Sequence, residues 1–172
     1  MANLSLAEAV KLKSILSKRI HELEEEMDRV AFVELEKGSA LPIQSRTLTH
    51  VEQEIEEVRK DFRLLDKLMY QANVEHEVVF QENSLTIVEA IELATQLRAK
   101  ARKYKELGMA AKEEFPYSYG PESTSIIKLA RFEPEDYRLK AIEAERQANR
   151  LSNAINAKNY SIELAFDADK YF

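Results

Sequence analysis

The sequence predicts an all-α protein: four long helices in antiparallel coiled-coil-like hairpins or a bundle, with two or three short strands forming a small clasp at one end. Three observations carry this expectation. Apolar residues recur at alternating four- and three-residue steps in four separate segments, the mark of helices that pack on helices. Only 3 Gly and 4 Pro interrupt the 172 residues, so turns are few and the elements long. The last helical pattern gives way to the alternation "YSIELAF", the two-residue period of a strand.

A single domain over 1–172 holds these elements. The first helix is expected over about 5–37, opened by a capping box in which Ser5 faces Glu8. Leu16, Ile20, Leu23, Met27 and Val30 form its seam, and Gly38 is the natural residue to end it. After the loop 38–48 the second helix, about 49–74, starts at Thr49 with Glu52 as its capping partner. Val51, Ile55, Val58, Phe62, Leu65, Met69 and Ala72 run along one face. The two helices fold back as a hairpin.

"HEVVFQENS" is short, β-branched and aromatic, and predicts a brief strand. Thr86 and Glu89 then cap a third helix, about 86–115, whose seam is Ala90, Ala94, Leu97, Ala101, Tyr104, Gly108, Ala111 and Phe115. Its small residues admit a close neighbour. Gly108 inside a helix costs about 1 kcal/mol relative to Ala, which close packing would offset, and a kink there is the other expectation. "FPYSYGPESTS" marks the loop 116–125, and "SIIKLARF" a second strand. Pro134 sits in the first turn of the fourth helix, about 134–157, with Tyr137, Ala141, Ala144, Ala148, Leu151 and Ile155 as its seam. Asn156 and Asn159 are expected to end it. Tyr160, Ile162, Leu164 and Phe166 then lie on one face of a tail, 159–167, that pairs with "HEVVFQ" and "SIIKLARF" to make the clasp.

Composition excludes several functions. The net charge of −6 disfavours nucleic acid or an anionic membrane as a partner of the whole molecule. The absence of cysteine removes disulfides and thiolate chemistry and fits a reducing compartment. The N-terminal stretch lacks the basic-then-apolar order of a signal peptide, and no apolar run approaches the ~20 residues of a membrane span. The expected location is the cytoplasm.

The opening "LSLAEAVKLKSILSKRIHELE", the middle "FQENSLTIVEAIELATQLRAKA", the link "LARFEP" and the ending "RLSNAINAKNYSIEL" together span nearly the whole chain. In their order and spacing they resemble the septicolysin-like family of bacterial proteins. In that family the last helix is followed by Asn, an aromatic residue and a short polar–apolar tail, here Asn159, Tyr160 and Ser161 to Leu164. The extension "AFDADKYF" and the long loops 38–48 and 116–125 depart from the pattern. The resemblance implies no catalytic residue, and the family name implies a membrane-active, toxin-like protein.

The residues themselves offer little chemistry. His21 with Glu25 and His50 with Glu54 are spaced to share a helix face, and Glu75 adjoins His76. A carboxylate-bridged metal bundle needs Glu-x-x-His on two helices, and that motif is absent from the sequence. The "DAD" at 167–169 reads as an exposed acidic end. Glycines at 38, 108 and 120 alone cannot build a phosphate loop, and no serine has a nucleophile-elbow context. The expectation is no catalytic residue, no metal and no cofactor.

Two charged stretches stand out. "HELEEEMDRVAFVELE" carries Glu22, Glu24, Glu25, Glu26, Asp28, Glu34 and Glu36, and "LRAKARKYKELGMAAK" carries Arg98, Lys100, Arg102, Lys103, Lys105 and Lys112. They can pair with each other, between helices or between subunits, or the basic one can bind RNA with Tyr104, Tyr117 and Tyr119 stacking on bases. The candidate interaction surface is Arg98, Arg102, Lys103, Tyr104, Lys105, Tyr117, Tyr119 and Tyr160. Apolar residues off the seams, among them Phe32, Val33, Leu64, Leu68, Ile87 and Ile91, point to a homo-oligomer. The functional expectation is a self-associating interaction or scaffold protein. A membrane-active protein is the alternative, and an RNA-binding coiled-coil arm is a weaker one.

Overall fold

A computed structural model describes residues 4–115 and 126–172. In chain order the elements are β1 (Leu4–Ser5), α1 (Leu6–Ala31), α2 (Leu48–Glu75), β2 (Glu77–Phe80), β3 (Asn83–Thr86), α3 (Ile87–Gly108), β4 (Glu113–Glu114), β5 (Lys128–Leu129), α4 (Pro134–Ser161) and β6 (Glu163–Leu164). The four helices, of 26, 28, 22 and 28 residues, hold more than half of the chain, and every sheet has two strands. The fold is mostly α, with short strand pairs, as the periodicity predicts. It divides into two compact units, Met1–His76 with Lys158–Phe172, and Glu77–Ala157.

In the first unit, the predicted capping box starts α1. The Ser5 hydroxyl accepts from the Glu8 amide at 3.2 Å, and the Glu8 carboxylate accepts from the Ser5 amide at 2.9 Å. Leu6, Ala9, Leu12, Leu16 and Leu23 form its buried face. The helix stops at Ala31, well short of Gly38, because residues 31–45 are all exposed. A helix gains most of its stability from packing an apolar face, and past Val30 there is nothing to pack on. Gly38 instead turns the loop: at φ +90° it occupies the left-handed region, and the Ser39 amide donates to the Glu36 carbonyl at 3.0 Å.

The second capping box is two residues earlier than predicted. Thr47 and His50 form it, with the His50 amide donating to the Thr47 hydroxyl at 3.3 Å and the Thr47 amide to His50 Nδ1 at 3.4 Å. Thr49 lies inside α2. The neighbouring Arg46 bonds Glu26 of α1 and Glu54 of α2, which fixes where the chain enters the helix. α2 buries Val51, Ile55, Val58, Leu65 and Ala72. Lys13 pairs with Asp66 and Arg19 with Glu54, so α1 and α2 run antiparallel.

The clasp exists, with a different partner. β6 pairs with the N-terminal β1, Leu4 opposite Leu164 and Ser5 opposite Glu163, and the Leu6 amide donates to the Ile162 carbonyl at 2.8 Å. Ile162, Leu164, Phe166 and Ala168 are buried and alternate with exposed neighbours. Neither "HEVVFQ" nor "SIIKLARF" takes part, since each pairs locally. The helix also runs through Asn156 and Asn159 to Ser161. Asn costs at most about 0.7 kcal/mol relative to Ala in a helix. Tyr160 is therefore an exposed helical residue, not part of the strand face.

In the second unit, β2 and β3 form a hairpin whose turn residues, Gln81 and Glu82, both have positive φ, 49° and 66°. That is the handedness two-residue hairpin turns require. Thr86 and Glu89 cap α3 as predicted, with bonds of 3.2 and 3.0 Å. Ile87, expected off the seam, is fully buried together with Ala90, Ala94 and Leu97. α3 ends at Gly108, so Ala111 and Phe115 are exposed and not helical. Gly108 is neither mid-helix nor a kink. It is a place of close approach to α4: a Cβ there would lie 2.7 Å from the Arg138 backbone nitrogen.

α4 begins at Pro134 and buries Ala141, Ala144, Ala148, Leu151 and Ile155, all predicted. Gly108 abuts Arg138, Tyr104 meets Tyr137, and Arg98 donates to Ser152. The middle of α3 thus meets the later part of α4, at Ser152, and its end meets the first turns of α4, at Tyr137 and Arg138, giving a second antiparallel hairpin. Its far end is joined by β4 against β5. The loop 116–125, with Tyr117, Tyr119 and Gly120, lies outside the described residues.

Candidate functional site

The second unit carries a groove of about 650 Å³ along one side of the α3–α4 hairpin. Its floor is small and apolar, with Ala101, Gly108, Ala141 and Ala148, and Ile142 and Met109 add larger apolar surface. This follows from the small-residue seams, which bring the two backbones close and leave little side-chain bulk to fill the space. Arg98, Arg102, Lys105 and Arg138 form the cationic part of its wall, against the single carboxylate of Glu145.

The four cations differ in how they are held. Glu135 grips Arg138 through two bonds of 2.8 and 2.6 Å. This raises the Arg138 pKa and lowers that of Glu135, the hydrogen bonds between them being the main cause in each. Arg98 donates to the Ser152 hydroxyl. The side chains of Arg102 and Lys105 have no hydrogen-bond or ion-pair partner among the described residues. The groove therefore presents two anchored and two unengaged positive charges over an apolar floor. The arrangement is chemically suited to an apolar segment that carries carboxylates or other anions.

The structure brings together Arg98, Arg102 and Lys105 of the sequence-derived surface, while Tyr117 and Tyr119 lie outside the described residues. Lys103 pairs with Glu106 at 3.3 Å and is not in the groove wall. Tyr104 packs edge-on against Tyr137, with ring centroids 5.3 Å apart, and the Lys100 ammonium sits over its ring at 5.6 Å. Tyr160 belongs to the first unit. Arg138 and the α4 floor were not legible as site residues, because only the fold-back of α4 onto α3 puts them beside Arg102.

In the first unit, a depression of about 580 Å³ is lined by Ile15, Lys18, Arg19, Glu22, Glu54, Glu57, Val58 and the tail residues Lys170 and Tyr171. Beside it the Tyr171 hydroxyl donates to Asp61, which also pairs with Lys170. Burial and the Asp61 carboxylate push the Tyr171 hydroxyl well above the usual phenol pKa. Burial would raise Asp61, but the bonds from Lys170 and Tyr171 outweigh it and hold the carboxyl below its ordinary value. A neutral phenol locked to a carboxylate is a fastener, not a nucleophile.

Two of the three histidines have local partners. His21 is exposed, with Nε2 3.4 Å from Glu25, and His50 serves the α2 cap while Glu54 is taken by Arg19 and Arg46. Among the described residues no three His, Cys, Asp or Glu side chains converge on a point where they could hold a metal, and no helix is long and apolar enough to cross a membrane. Glu24 and Glu26 of the acidic stretch pair within their own unit, at 3.0 Å with Arg59 and with Arg46.

The loop between α1 and α2 has no counterpart to its apolar side chains. Phe32, Leu41 and Ile43 are 82%, 76% and 100% exposed, and Val33 and Leu35 are also open to solvent.

No protein-family model matches the chain, and no curated protein matches it. Among solved structures, the crystal structure of a functionally unknown conserved protein from Corynebacterium diphtheriae resembles it. The TM-score is 0.64 at 21% sequence identity, over 95% of this chain and 99% of that one. At that identity the likeness concerns the fold.

Proposed function

We propose that this protein is a self-associating interaction protein, a helical scaffold acting through its surfaces and not through chemistry on a substrate. The α1–α2 loop is the observation that carries this reading. Apolar residues scattered singly over a surface are ordinary, but several on one loop mark an interaction site. Burying one such side chain contributes roughly 1.5–3 kcal/mol, against an association cost of about 4–15 kcal/mol. Two copies sharing the loops of both reach a weak to moderate dimer. The cysteine-free composition supports a place in the cytoplasm.

Sedimentation velocity at concentrations from one to a hundred micromolar tests the proposal. Association that weakens in Leu41→Ser/Ile43→Ser, with unchanged melting, is the expected result. A clean monomer throughout is the result against it.

The same loop supports a second reading, in line with the resemblance to the septicolysin-like family: apolar side chains on a tip can enter a lipid surface. Glu34 and Glu36 beside them oppose an anionic one. Leakage of dye-loaded liposomes at neutral and acidic pH separates this reading from self-association.

A further inference from the structure

We infer that the α3–α4 groove is the receptor for the acidic–apolar segment Phe32–Glu36 of a second copy of this chain. The inference rests on the self-association proposed above and names its contact.

The two surfaces are complementary in charge, polarity and dimension. On the groove side, Arg102 and Lys105 are the cations without partners, above a floor of Ala101, Ala141 and Ile142. On the segment side, Glu34 and Glu36 are exposed carboxylates with no ion-pair or hydrogen-bond partner among the described residues, and Phe32, Val33 and Leu35 are exposed apolar groups. Phe32 leaves α1 in an extended conformation, at φ −129° and ψ 149°, and the proposed contact continues it through Glu36. In extended chain, alternate side chains point to opposite faces. Val33 and Leu35 then face the floor, while Glu34 and Glu36 face the rim.

The spacing agrees. Two residues apart in extended chain is ~6.5–7 Å, and positions three apart on a helix, such as Arg102 and Lys105, have Cβ atoms ~5–6 Å apart. From Arg98 to Met109 the groove follows α3 for ~16 Å at 1.5 Å per residue, and Phe32–Glu36 extends ~13 Å. The self-association proposed above makes a second copy the source of the occupant. Each copy offers one groove and one segment. Used reciprocally by two copies it makes an isologous two-fold interface, and used head-to-tail a heterologous one that closes as a ring or continues as a chain.

The test is a charge swap read by sedimentation velocity on the full chain. Arg102→Glu/Lys105→Glu and Glu34→Lys/Glu36→Lys should each weaken association roughly tenfold or more, as like charges come to face each other. An equimolar mixture of the two variants should associate again, because the reversed groove of one meets the reversed segment of the other. The variant with all four changes should recover self-association. All four positions are exposed, so melting midpoints stay near that of the parent and report intact folding.

If Arg102→Glu/Lys105→Glu associates like the parent, the inference is overturned while self-association stands. A monomeric parent removes both. Parent-like association combined with loss of binding to a single-stranded RNA at low salt also overturns it and gives the groove to a polyanion.

Discussion

Tyr171 donates its hydroxyl hydrogen bond to Asp61, a residue 110 positions earlier in the chain. The bond fixes the end of the tail to the middle of α2, and Lys170 adds an ion pair to the same carboxylate. Because both groups titrate away from their ordinary values, the contact has a defined pH range. Asp61 is depressed in the folded state. Its contribution is present above the unfolded carboxyl value of 3.8 and is lost as pH falls through the folded one. Tyr171 is raised, so its contribution is complete below the unfolded phenol value of 10.0 and is lost as pH climbs through the folded one. Tyr171→Phe should cost about 1–2 kcal/mol near neutrality and remove the phenol's share of the alkaline loss. Denaturant midpoints followed from pH 3 to pH 11 capture the onset of both effects.

The clasp makes a sharper prediction. Ile162 is buried and Ala165 is exposed on the same tail. Ile162→Asp should destabilise by several kcal/mol, since it removes apolar burial and buries a charge. Ala165→Asp should stay within about 0.5 kcal/mol. Leu4→Asp, on the strand opposite, should match Ile162→Asp, whereas Val79→Asp, exposed on β2, should have little effect. Equal losses at Leu4 and Val79 in thermal melts would contradict the pairing of β1 with β6.

Gly108→Ala tests the sign of a balance. Alanine favours the helix by about 1 kcal/mol over glycine. Its Cβ would meet the Arg138 backbone nitrogen at 2.7 Å and Cα at 2.8 Å, atoms that cannot rotate away. Overpacking of this kind costs typically 1–3 kcal/mol, so the variant should be the less stable one, by up to about 2 kcal/mol. A raised melting temperature would mean the hairpin opens readily at that end.

Helix entry is equally testable. Thr47→Ala should lose about 1 kcal/mol, the usual worth of an N-cap, and Thr49→Ala, one turn position inside α2, under half of that. The reverse order in chemical denaturation would move the start of the helix to the later residue.

What the sequence discloses follows from which forces are local. The Ser5–Glu8 and Thr86–Glu89 boxes, the α2 seam at Val51, Ile55, Val58, Leu65 and Ala72 and the α4 seam from Ala141 to Ile155 are periodic or short-range signals, and each is realised, while Phe62 and Met69 of the expected α2 seam are only half-buried. The ends of α1 and α3 are not local. Val33 to Glu36 have ordinary helix propensities, and the helix stops because its packing partner does. β1 is two residues long, too short to carry any alternation, so the true partner of the tail left no trace in the pattern. Asn156 and Asn159 are permissive stop signals overridden by the buried Ile155 and the continuing tail. Of the groove, the α3 cations are visible as a charge run and the floor residues Ala101, Gly108, Ala141 and Ala148 as seam positions, while the place of Arg138 beside them depends on the register of α4 on α3, which residue spacing does not encode.

The pairing of Leu4 with Leu164 also bears on the order of folding. It closes a loop that includes nearly the whole chain, and closure entropy makes such contacts late to form. Both hairpins can assemble from near neighbours before the clasp shuts, and the clasp can open while they persist. The Leu6 amide, bonded to the Ile162 carbonyl, therefore reports a local opening: its exchange with deuterium should run ahead of the amides in the middle of α1, at a rate set by the tail alone.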